Sequence, residues 1–211
     1  MAENFEEQRK SLVDKMRLKN KAIEQAFLSI KRELFFPESM RSHAYEDTAF
    51  PIGLGQTISQ PSTIAAMLEM LAVEKGNTVL EVGAGSGYVM ALLSELAGSR
   101  GTVFGVELVH ELHQKATRAL LELGYNNFFL KCGDGTLGWK ENAPFDRILI
   151  SAACASVPNP LIEQLKEGGW LVAPIGASLS QELVLLQKEK GEVAEKESRC
   201  CFVFVPLKGK F

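Results

Sequence analysis

The residues whose types and spacing are typical of a ligand-binding turn are one acid, Glu81, and three glycines, Gly83, Gly85 and Gly87. They follow an apolar run typical of a buried strand and precede a helical pattern that begins at Tyr88. Glycine has no Cβ, so the backbone can turn sharply and approach a ligand closely, and the helix start adds unpaired N–H groups. The pattern predicts a nucleotide-binding turn, and a glycine-rich turn without a ligand is the alternative.

Two further carboxylates follow later apolar runs. Glu107 ends a second strand pattern 20 residues beyond Gly87, the spacing at which a strand-end carboxylate binds ribose hydroxyls. Asp134, followed by Gly135, lies in a glycine-flanked loop after a third strand pattern. There it is placed to accept a hydrogen bond from an adenine amino group, or it is a turn carboxylate. These residues predict a cofactor that contains a nucleoside.

Ser59 is the candidate on the substrate side. It lies just before Pro61, which fits the first turn of a helix, so Ser59 is either a helix cap or a hydrogen-bond donor to a substrate. It lies near the end of a stretch, residues 44–60, with no clear hydrophobic period. Long irregular stretches inside compact domains are usually functional or disordered, and the apolar content here argues against disorder. We therefore expect this stretch to lie over a site.

Alternating strand and helix patterns predict an α/β protein with a mostly parallel sheet and a late antiparallel hairpin. Residues up to about 34 are predicted to be helical, with Asn20 as a helix cap. We expect a single domain over residues 1–211. Residues 1–60 would form N-terminal helices and the covering segment, and residues 61–211 the cofactor-binding core and the hairpin.

Composition limits the partners of the chain. Its 211 residues have a net charge of −3, which argues weakly against a protein that binds nucleic acid through a phosphate-binding face. The four cysteines have no metal-ligand spacing, which predicts reduced thiols in a cytoplasmic protein. His110 and His113 lack a third ligand, so we expect surface residues and no metal. With no apolar run of membrane-spanning length and no obvious self-association face, we expect a monomer away from membranes.

Two levels of resemblance extend these predictions. The acidic-x-G-x-G-x-G pattern resembles the first motif of S-adenosylmethionine-dependent methyltransferases. In those enzymes the glycines pack against the methionine part of the cofactor and the acid helps to hold its amino end. The blocks at residues 44–47, 51–53 and 55–61, together with the closing residues 204–209, are similar to the protein-L-isoaspartate O-methyltransferases. That resemblance covers residues 10–211.

The resemblance implies a Rossmann-like, seven-stranded methyltransferase fold, with S-adenosyl-L-methionine as cofactor and S-adenosyl-L-homocysteine as product. The substrate would be the free α-carboxylate of L-isoaspartyl residues in damaged peptides and proteins. The methyl ester would cyclise to a succinimide and so begin repair. Ser59 would be the active-site serine, a positioning donor and not a nucleophile. The implied substrate contacts are Thr57, Ile58 and Ser59. The implied cofactor contacts are Ile58, Glu81, Gly83, Gly85, Gly87, Glu107, Asp134 and Gly135.

The implied chemistry agrees with the residues present. A carboxylate nucleophile with a pKa near about 4 is already ionised at neutral pH, so no general base is needed. Three alternatives remain open. One is a methyltransferase of RNA or of a small carboxylic acid. Another is a nicotinamide-dependent oxidoreductase, which Glu107 would suit but the glycine spacing would not. The third is a binding module without catalysis.

Overall fold

The computed structural model describes residues 4–176 and 180–211. The α-helices are α1 Phe5–Met16, α2 Lys21–Ser29, α3 Pro61–Leu71, α4 Tyr88–Ala97, α5 His110–Glu122 and α6 Asn159–Gln164. The strands are β1 Phe50–Gly53, β2 Gln56–Ile58, β3 Thr78–Val82, β4 Thr102–Glu107, β5 Phe128–Cys132, β6 Phe145–Ile150, β7 Leu165–Ile175, β8 Gln181–Glu189 and β9 Glu192–Phe202. Short 3₁₀ turns span Arg32–Phe35, Glu38–His43, Gly135–Leu137 and Lys140–Asn142.

Seven strands form the main sheet, in the order β5-β4-β3-β6-β7-β8-β9. Strands β3 to β7 are parallel, and β8 runs antiparallel to both of its neighbours. The predicted mostly parallel seven-stranded sheet with a late antiparallel hairpin is therefore confirmed. Because β3 pairs with β4 on one side and β6 on the other, it is the point where the strand order reverses. Ligands of open α/β sheets bind outside the carboxyl ends of the strands at such a point.

The core covers both faces of the sheet. Val79 and Leu80 are successive residues of β3, both fully buried, and they belong to two different apolar clusters. Side chains of a strand alternate between its faces, so a strand buried on both faces needs a continuous apolar run. The apolar residues Val79, Leu80 and Val82, interrupted by the buried Glu81, agree with the central position of β3 in the sheet.

The N-terminal helices agree with the prediction only in part. Asn20 caps α2 as expected, because its side-chain oxygen accepts hydrogen bonds from the N–H groups of Ala22 at 2.9 Å and Ile23 at 3.3 Å. The predicted continuation of helix to residue 34 is wrong: Ile30 is extended, with φ −90° and ψ 128°. The helix ends there because the chain turns to bury Arg32, a residue that an amphipathic helix would expose.

The stretch predicted to be irregular contains a two-stranded hairpin. Strands β1 and β2 pair antiparallel, with Pro51 opposite Thr57. Gly53, Leu54 and Gly55 turn the chain with φ values of +92°, +57° and +73°. Glycine tolerates such angles, which explains two of the three residue types.

Within the described ranges, no helix combines the length and apolar character that a membrane span requires.

Candidate active site

A cavity of about 260 Å³ lies at the carboxyl ends of β3, β4 and β6. Three parts of the chain line it: the β1–β2 hairpin, the ends of the sheet strands and the segment after β9. The β1–β2 hairpin contributes Leu54, Gln56 and Thr57. The strand ends contribute Val82, Gly83, Gly85, Val106, Glu107, Leu108, Val109, Gly135, Ser151 and Ala152. The segment after β9 contributes Val205, Pro206, Leu207 and Lys208. The predicted covering stretch and the predicted cofactor turn therefore meet at one cavity.

The three predicted glycines have different positions. Gly83 and Gly85 line the cavity with φ of +86° and +54°. Gly87 has φ +85° and is buried, and a Cβ there would lie 3.0 Å from the Cβ of Ala116 on α5. Gly87 thus allows α4 and α5 to pack closely, and its contact with the cofactor stays a prediction.

Glu107 lines the cavity and is 5% exposed. One carboxylate oxygen accepts the Gly85 N–H at 2.7 Å and the other accepts the Val109 N–H at 2.8 Å. Each carboxylate oxygen has two lone-pair sites, so each retains one after these bonds. The carboxylate is therefore held in a fixed orientation with acceptors for two hydroxyl groups.

Glu81 does not line the cavity but is joined to it by Ser151. Its Oε1 accepts the Ser151 hydroxyl at 2.8 Å, and Ser151 lines the cavity. Its Oε2 is buried and has no hydrogen-bond partner in the described part of the chain. Burial raises the pKa of Glu81 to about 8; the Ser151 hydrogen bond opposes the rise and the charge of Glu107 adds to it. A cation near this pair would find a carboxyl group with one unused oxygen.

Asp134 is engaged by its own chain. Its Oδ1 accepts the backbone N–H and the hydroxyl of Thr136 at 2.8 and 2.7 Å, and its Oδ2 accepts the Lys210 N–H at 2.7 Å. Burial acts to raise the pKa of Asp134, but the hydrogen bonds from Thr136 and Lys210 outweigh it and lower that pKa. The neighbouring Gly135 lines the cavity, whereas the Asp134 carboxylate does not. Only one of four acceptor sites remains for an adenine amino group.

The C-terminal segment, residues 205–211, was not predicted to be part of the site. The Val205 carbonyl accepts the Ala153 N–H at 2.8 Å, and the Leu207 N–H donates to the Ala153 carbonyl at 2.7 Å. Ala153 follows β6, so these bonds hold the segment beside the cavity. Ser151 was also missed. Its signal is its position directly after a buried strand, at the same sheet edge as the glycines.

The predicted substrate residues differ in exposure. Thr57 lines the cavity, while the Ile58 side chain is 4% exposed and packs in the core. Ile58 is not among the residues that line the cavity, so its predicted contacts stay a prediction. Ser59 is half-buried, and its hydroxyl makes no hydrogen bond to other residues that the structure describes.

Ser59 is not the cap of α3. Gln60 occupies the cap position without a side-chain hydrogen bond. The Asp47 carboxylate instead accepts the Ser62 N–H in the first turn, at 2.9 Å. The helix-cap interpretation of Ser59 is therefore wrong, and its role as a hydrogen-bond donor to a substrate stays a prediction.

The histidines lie outside the cavity. His110 and His113 stack on α5 with ring centroids 6.2 Å apart, and His113 Nε2 lies 3.1 Å from the Leu130 carbonyl oxygen. Within residues 4–176 and 180–211, no group of three or more His, Cys, Asp or Glu residues could hold a metal ion.

Curated relatives match the chain over nearly its full length. The protein-L-isoaspartate O-methyltransferase of Dictyoglomus thermophilum is 45% identical over 210 residues, which is 98% of this chain and 94% of that protein. The enzyme of the same name from Methanococcus aeolicus is 44% identical over 95% of this chain and 92% of that protein.

Solved structures agree in fold. A protein-L-isoaspartate O-methyltransferase structure has a TM-score of 0.86 at 32% identity, covering 95% of this chain and 66% of that longer chain. A Plasmodium falciparum structure in complex with S-adenosyl-L-homocysteine has a TM-score of 0.84 at 24% identity, covering 98% and 99% of the two chains. The family model described as protein-L-isoaspartate(D-aspartate) O-methyltransferase matches residues 6–211. The chain belongs to the protein-L-isoaspartate(D-aspartate) O-methyltransferase family.

Proposed function

We propose that the chain transfers a methyl group from S-adenosyl-L-methionine to the free α-carboxylate of L-isoaspartyl residues in damaged peptides and proteins. One observation carries the proposal. Glu107, at the end of β4, lines the same cavity as Thr57, two residues before Ser59. A cofactor held by Glu107 would therefore lie next to the segment expected to hold the substrate. The relatives named above support the choice of substrate.

The residues at the cavity suit this cofactor. Glu107 would accept hydrogen bonds from the two ribose hydroxyls, because each oxygen keeps a free lone pair. Gly83 and Gly85 would let the backbone approach the methionine part closely. The unused oxygen of Glu81 would attract the ammonium group, with Ser151 as the contact at the cavity wall. Gly135 would border the adenine, with Asp134 behind it. When bound, S-adenosyl-L-methionine supplies a methyl group activated by a sulfonium.

Catalysis on the substrate side requires the substrate carboxylate to be oriented, and it does not require a proton to be removed from it. An isoaspartyl carboxylate is ionised at neutral pH, so the chemistry requires no general base. We assign the Ser59 hydroxyl as a donor that holds one carboxylate oxygen, and Thr57 as a neighbouring contact. Lys208 adds a positive charge to the cavity lining, which favours an anionic substrate. Holding the reacting atoms in line can lower a barrier by roughly 7–11 kcal/mol in ideal cases.

The biological role follows from the product. The methyl ester cyclises to a succinimide without help from the protein, and the succinimide can reopen to normal aspartate. The proposal includes a monomer that acts in the cytoplasm as one domain, on peptides and proteins and not on nucleic acid or membranes.

A labelled methyl-transfer assay tests the proposal. Two peptides of the same sequence, one with L-isoaspartate and one with L-aspartate at the same position, are incubated with methyl-labelled S-adenosyl-L-methionine. We expect base-labile label on the isoaspartyl peptide alone. Label on neither peptide, with cofactor binding intact, would reject the substrate, and RNA and small carboxylic acids would then be screened.

A further inference from the structure

Arg32 is a fully buried arginine, placed at the start of a 3₁₀ turn. Its Nε donates to the Ala44 carbonyl at 2.9 Å, and its Nη2 donates to the Ser59 carbonyl at 2.8 Å. Its guanidinium carbon lies 4.7 Å from the ring centroid of Tyr88 and 5.3 Å from that of Phe36. It forms no salt bridge with any carboxylate in the described ranges, and its Nη1 has no hydrogen-bond partner there.

Such a residue is costly for folding. Arginine stays charged in proteins, and a buried charge without a counter-ion loses its hydration without full compensation. Aromatic faces recover part of this loss through cation–π attraction. A buried arginine that binds backbone carbonyls holds the backbone in place. Here the second of those carbonyls belongs to Ser59.

The residues around Arg32 tie the same two stretches together. The Tyr45 hydroxyl donates to the Glu33 carboxylate, next to Arg32 in sequence. The Asp47 carboxylate accepts the Ser62 N–H at 2.9 Å, at the start of α3. Residues 44–47 and 59–62 are thus fixed to the Arg32–Glu33 pair and to each other. The Arg32–Ser59 bond is the one that directly restrains the backbone of the proposed active-site serine.

We propose that Arg32 is a positioning residue for Ser59: by holding the Ser59 carbonyl, it sets the direction of the Ser59 hydroxyl toward the substrate carboxylate. This inference rests on the proposed function. It assigns no contact between Arg32 and the substrate, because Arg32 is fully buried. Its effect on turnover therefore depends on the presence of the Ser59 hydroxyl.

A double-mutant cycle tests this dependence. Arg32→Lys keeps the charge but removes the forked donors that reach two carbonyls. We expect it to lower kcat for the isoaspartyl peptide by about tenfold or more, since a small misplacement can cost up to about a hundredfold. The calorimetric Kd for S-adenosyl-L-homocysteine should change by less than about threefold. In a Ser59→Ala background, the same substitution should lower kcat by less than about threefold, because coupled residues are not additive.

Arg147 provides a matched control. Its Nε donates to the Ala72 carbonyl at 3.2 Å, and its guanidinium carbon lies 5.2 Å from the Trp170 ring centroid. Arg147→Lys thus makes the same chemical change away from Ser59, and it should have the same small effect on kcat in both backgrounds. An equal loss of kcat from Arg32→Lys with and without the Ser59 hydroxyl would overturn the proposal, as would unchanged kcat with a lower melting temperature.

Hydrogen exchange separates this inference from the proposed function. In Arg32→Lys, amide exchange over residues 56–60 should become about tenfold faster or more, because local opening is easier once the restraint is lost. In Arg147→Lys, exchange there should not change. An inactive wild-type protein would reject the proposed substrate, while unchanged exchange in Arg32→Lys would reject the restraint on Ser59 whatever the substrate.

Discussion

Glu81 and Glu107 are both buried, but their oxygens have different partners. Both oxygens of Glu107 accept backbone N–H groups, from Gly85 and Val109. Glu81 accepts one hydrogen bond, from Ser151, and its other oxygen has no partner in the described residues. Hydrogen bonds to a carboxylate favour its charged form, and burial disfavours it. Glu107 is therefore held in place to accept hydrogen bonds from hydroxyl groups. Glu81 is suited to ionise when a cation binds next to it.

The raised pKa of Glu81 predicts that cofactor binding depends on pH. At a pKa of about 8, Glu81 is mostly protonated at pH 7 in the free protein. A bound ammonium group favours the ionised form, so binding should release a proton. The affinity for S-adenosyl-L-methionine should rise up to about tenfold per pH unit below pH 8. Calorimetry in two buffers of different ionisation enthalpy measures the released proton.

Glu81→Gln is the control for this prediction and should remove both the proton release and the pH dependence. Proton release that persists in this variant would contradict the role of Glu81.

The stability of the ligand-free protein should depend on pH in the opposite direction to cofactor affinity. Folding raises the pKa of Glu81, so its contribution to the free energy of unfolding is full below about pH 4.3 and is lost as the pH rises toward 8.

Ser59 should contribute to turnover and not to cofactor binding. Removing a hydrogen bond to a charged group costs about 1.5–3 kcal/mol, so Ser59→Ala should lower kcat by about tenfold to 150-fold. Its Kd for S-adenosyl-L-homocysteine should stay within about twofold of wild type. Ser62→Ala, three residues further along, is the control and should leave kcat unchanged. Wild-type turnover in Ser59→Ala would exclude the serine from the mechanism.

At the scale of elements, the C-terminal segment completes the site. It contacts Ala153 after β6 and Asp134 after β5, so it bridges two strand ends. Gly209 allows the close approach to Asp134: a Cβ there would collide with its Oδ1 and would lie 2.5 Å from Thr136 Cγ2. The segment thus depends on a glycine outside the cofactor motif.

Gly209→Ala should therefore weaken cofactor binding. The added methyl group would push the segment away from Asp134 and shift the residues that line the cavity, with a cost of about 1–3 kcal/mol. We expect a higher Kd for S-adenosyl-L-homocysteine by calorimetry. Gly133→Ala is the matched control, because a Cβ at Gly133 would meet nothing within 4 Å. Equal Kd values for the two variants would show that the segment does not support the site.

The parts of the site that the sequence predicted are those set by local pattern. Glycine spacing and an acid after an apolar run identify strand ends, and parallel strands bring those ends to one edge. The close packing of Gly87 against Ala116 could not be predicted, because the two residues lie almost thirty positions apart in the sequence. The engagement of Asp134 by Lys210 and the contact of Ser151 with Glu81 likewise need the fold. The end of α2 was misplaced because Arg32 is buried against the expectation for a charged residue.

At the scale of the whole molecule, the cavity lies where the strand order reverses and where the hairpin, the strand ends and the C-terminal segment meet. No part of the chain contains the cavity by itself, so a bound cofactor would link the hairpin, the strand ends and the C-terminal segment. A ligand that binds only the folded state stabilises it by mass action. Cofactor binding should therefore stabilise the molecule as a whole.

This coupling predicts a thermal shift. At a concentration about a hundred times its Kd, S-adenosyl-L-homocysteine should add about 2.7 kcal/mol, which corresponds to a rise in Tm of roughly 5–10 °C for a chain of this size. At that same ligand concentration, Glu107→Ala should show a clearly smaller rise, measured from its own ligand-free Tm. An equal rise in both proteins would mean that Glu107 does not hold the cofactor.

A crystal structure with S-adenosyl-L-homocysteine and an isoaspartyl peptide tests most directly whether one cavity holds both substrates. We predict that the ribose hydroxyls bind Glu107. We also predict that the isoaspartyl α-carboxylate lies within hydrogen-bond distance of Ser59 Oγ, with one oxygen directed at the cofactor sulfur. A cofactor bound away from Glu107, or a peptide carboxylate remote from Ser59 and the sulfur, would contradict the assignment of this cavity as the active site.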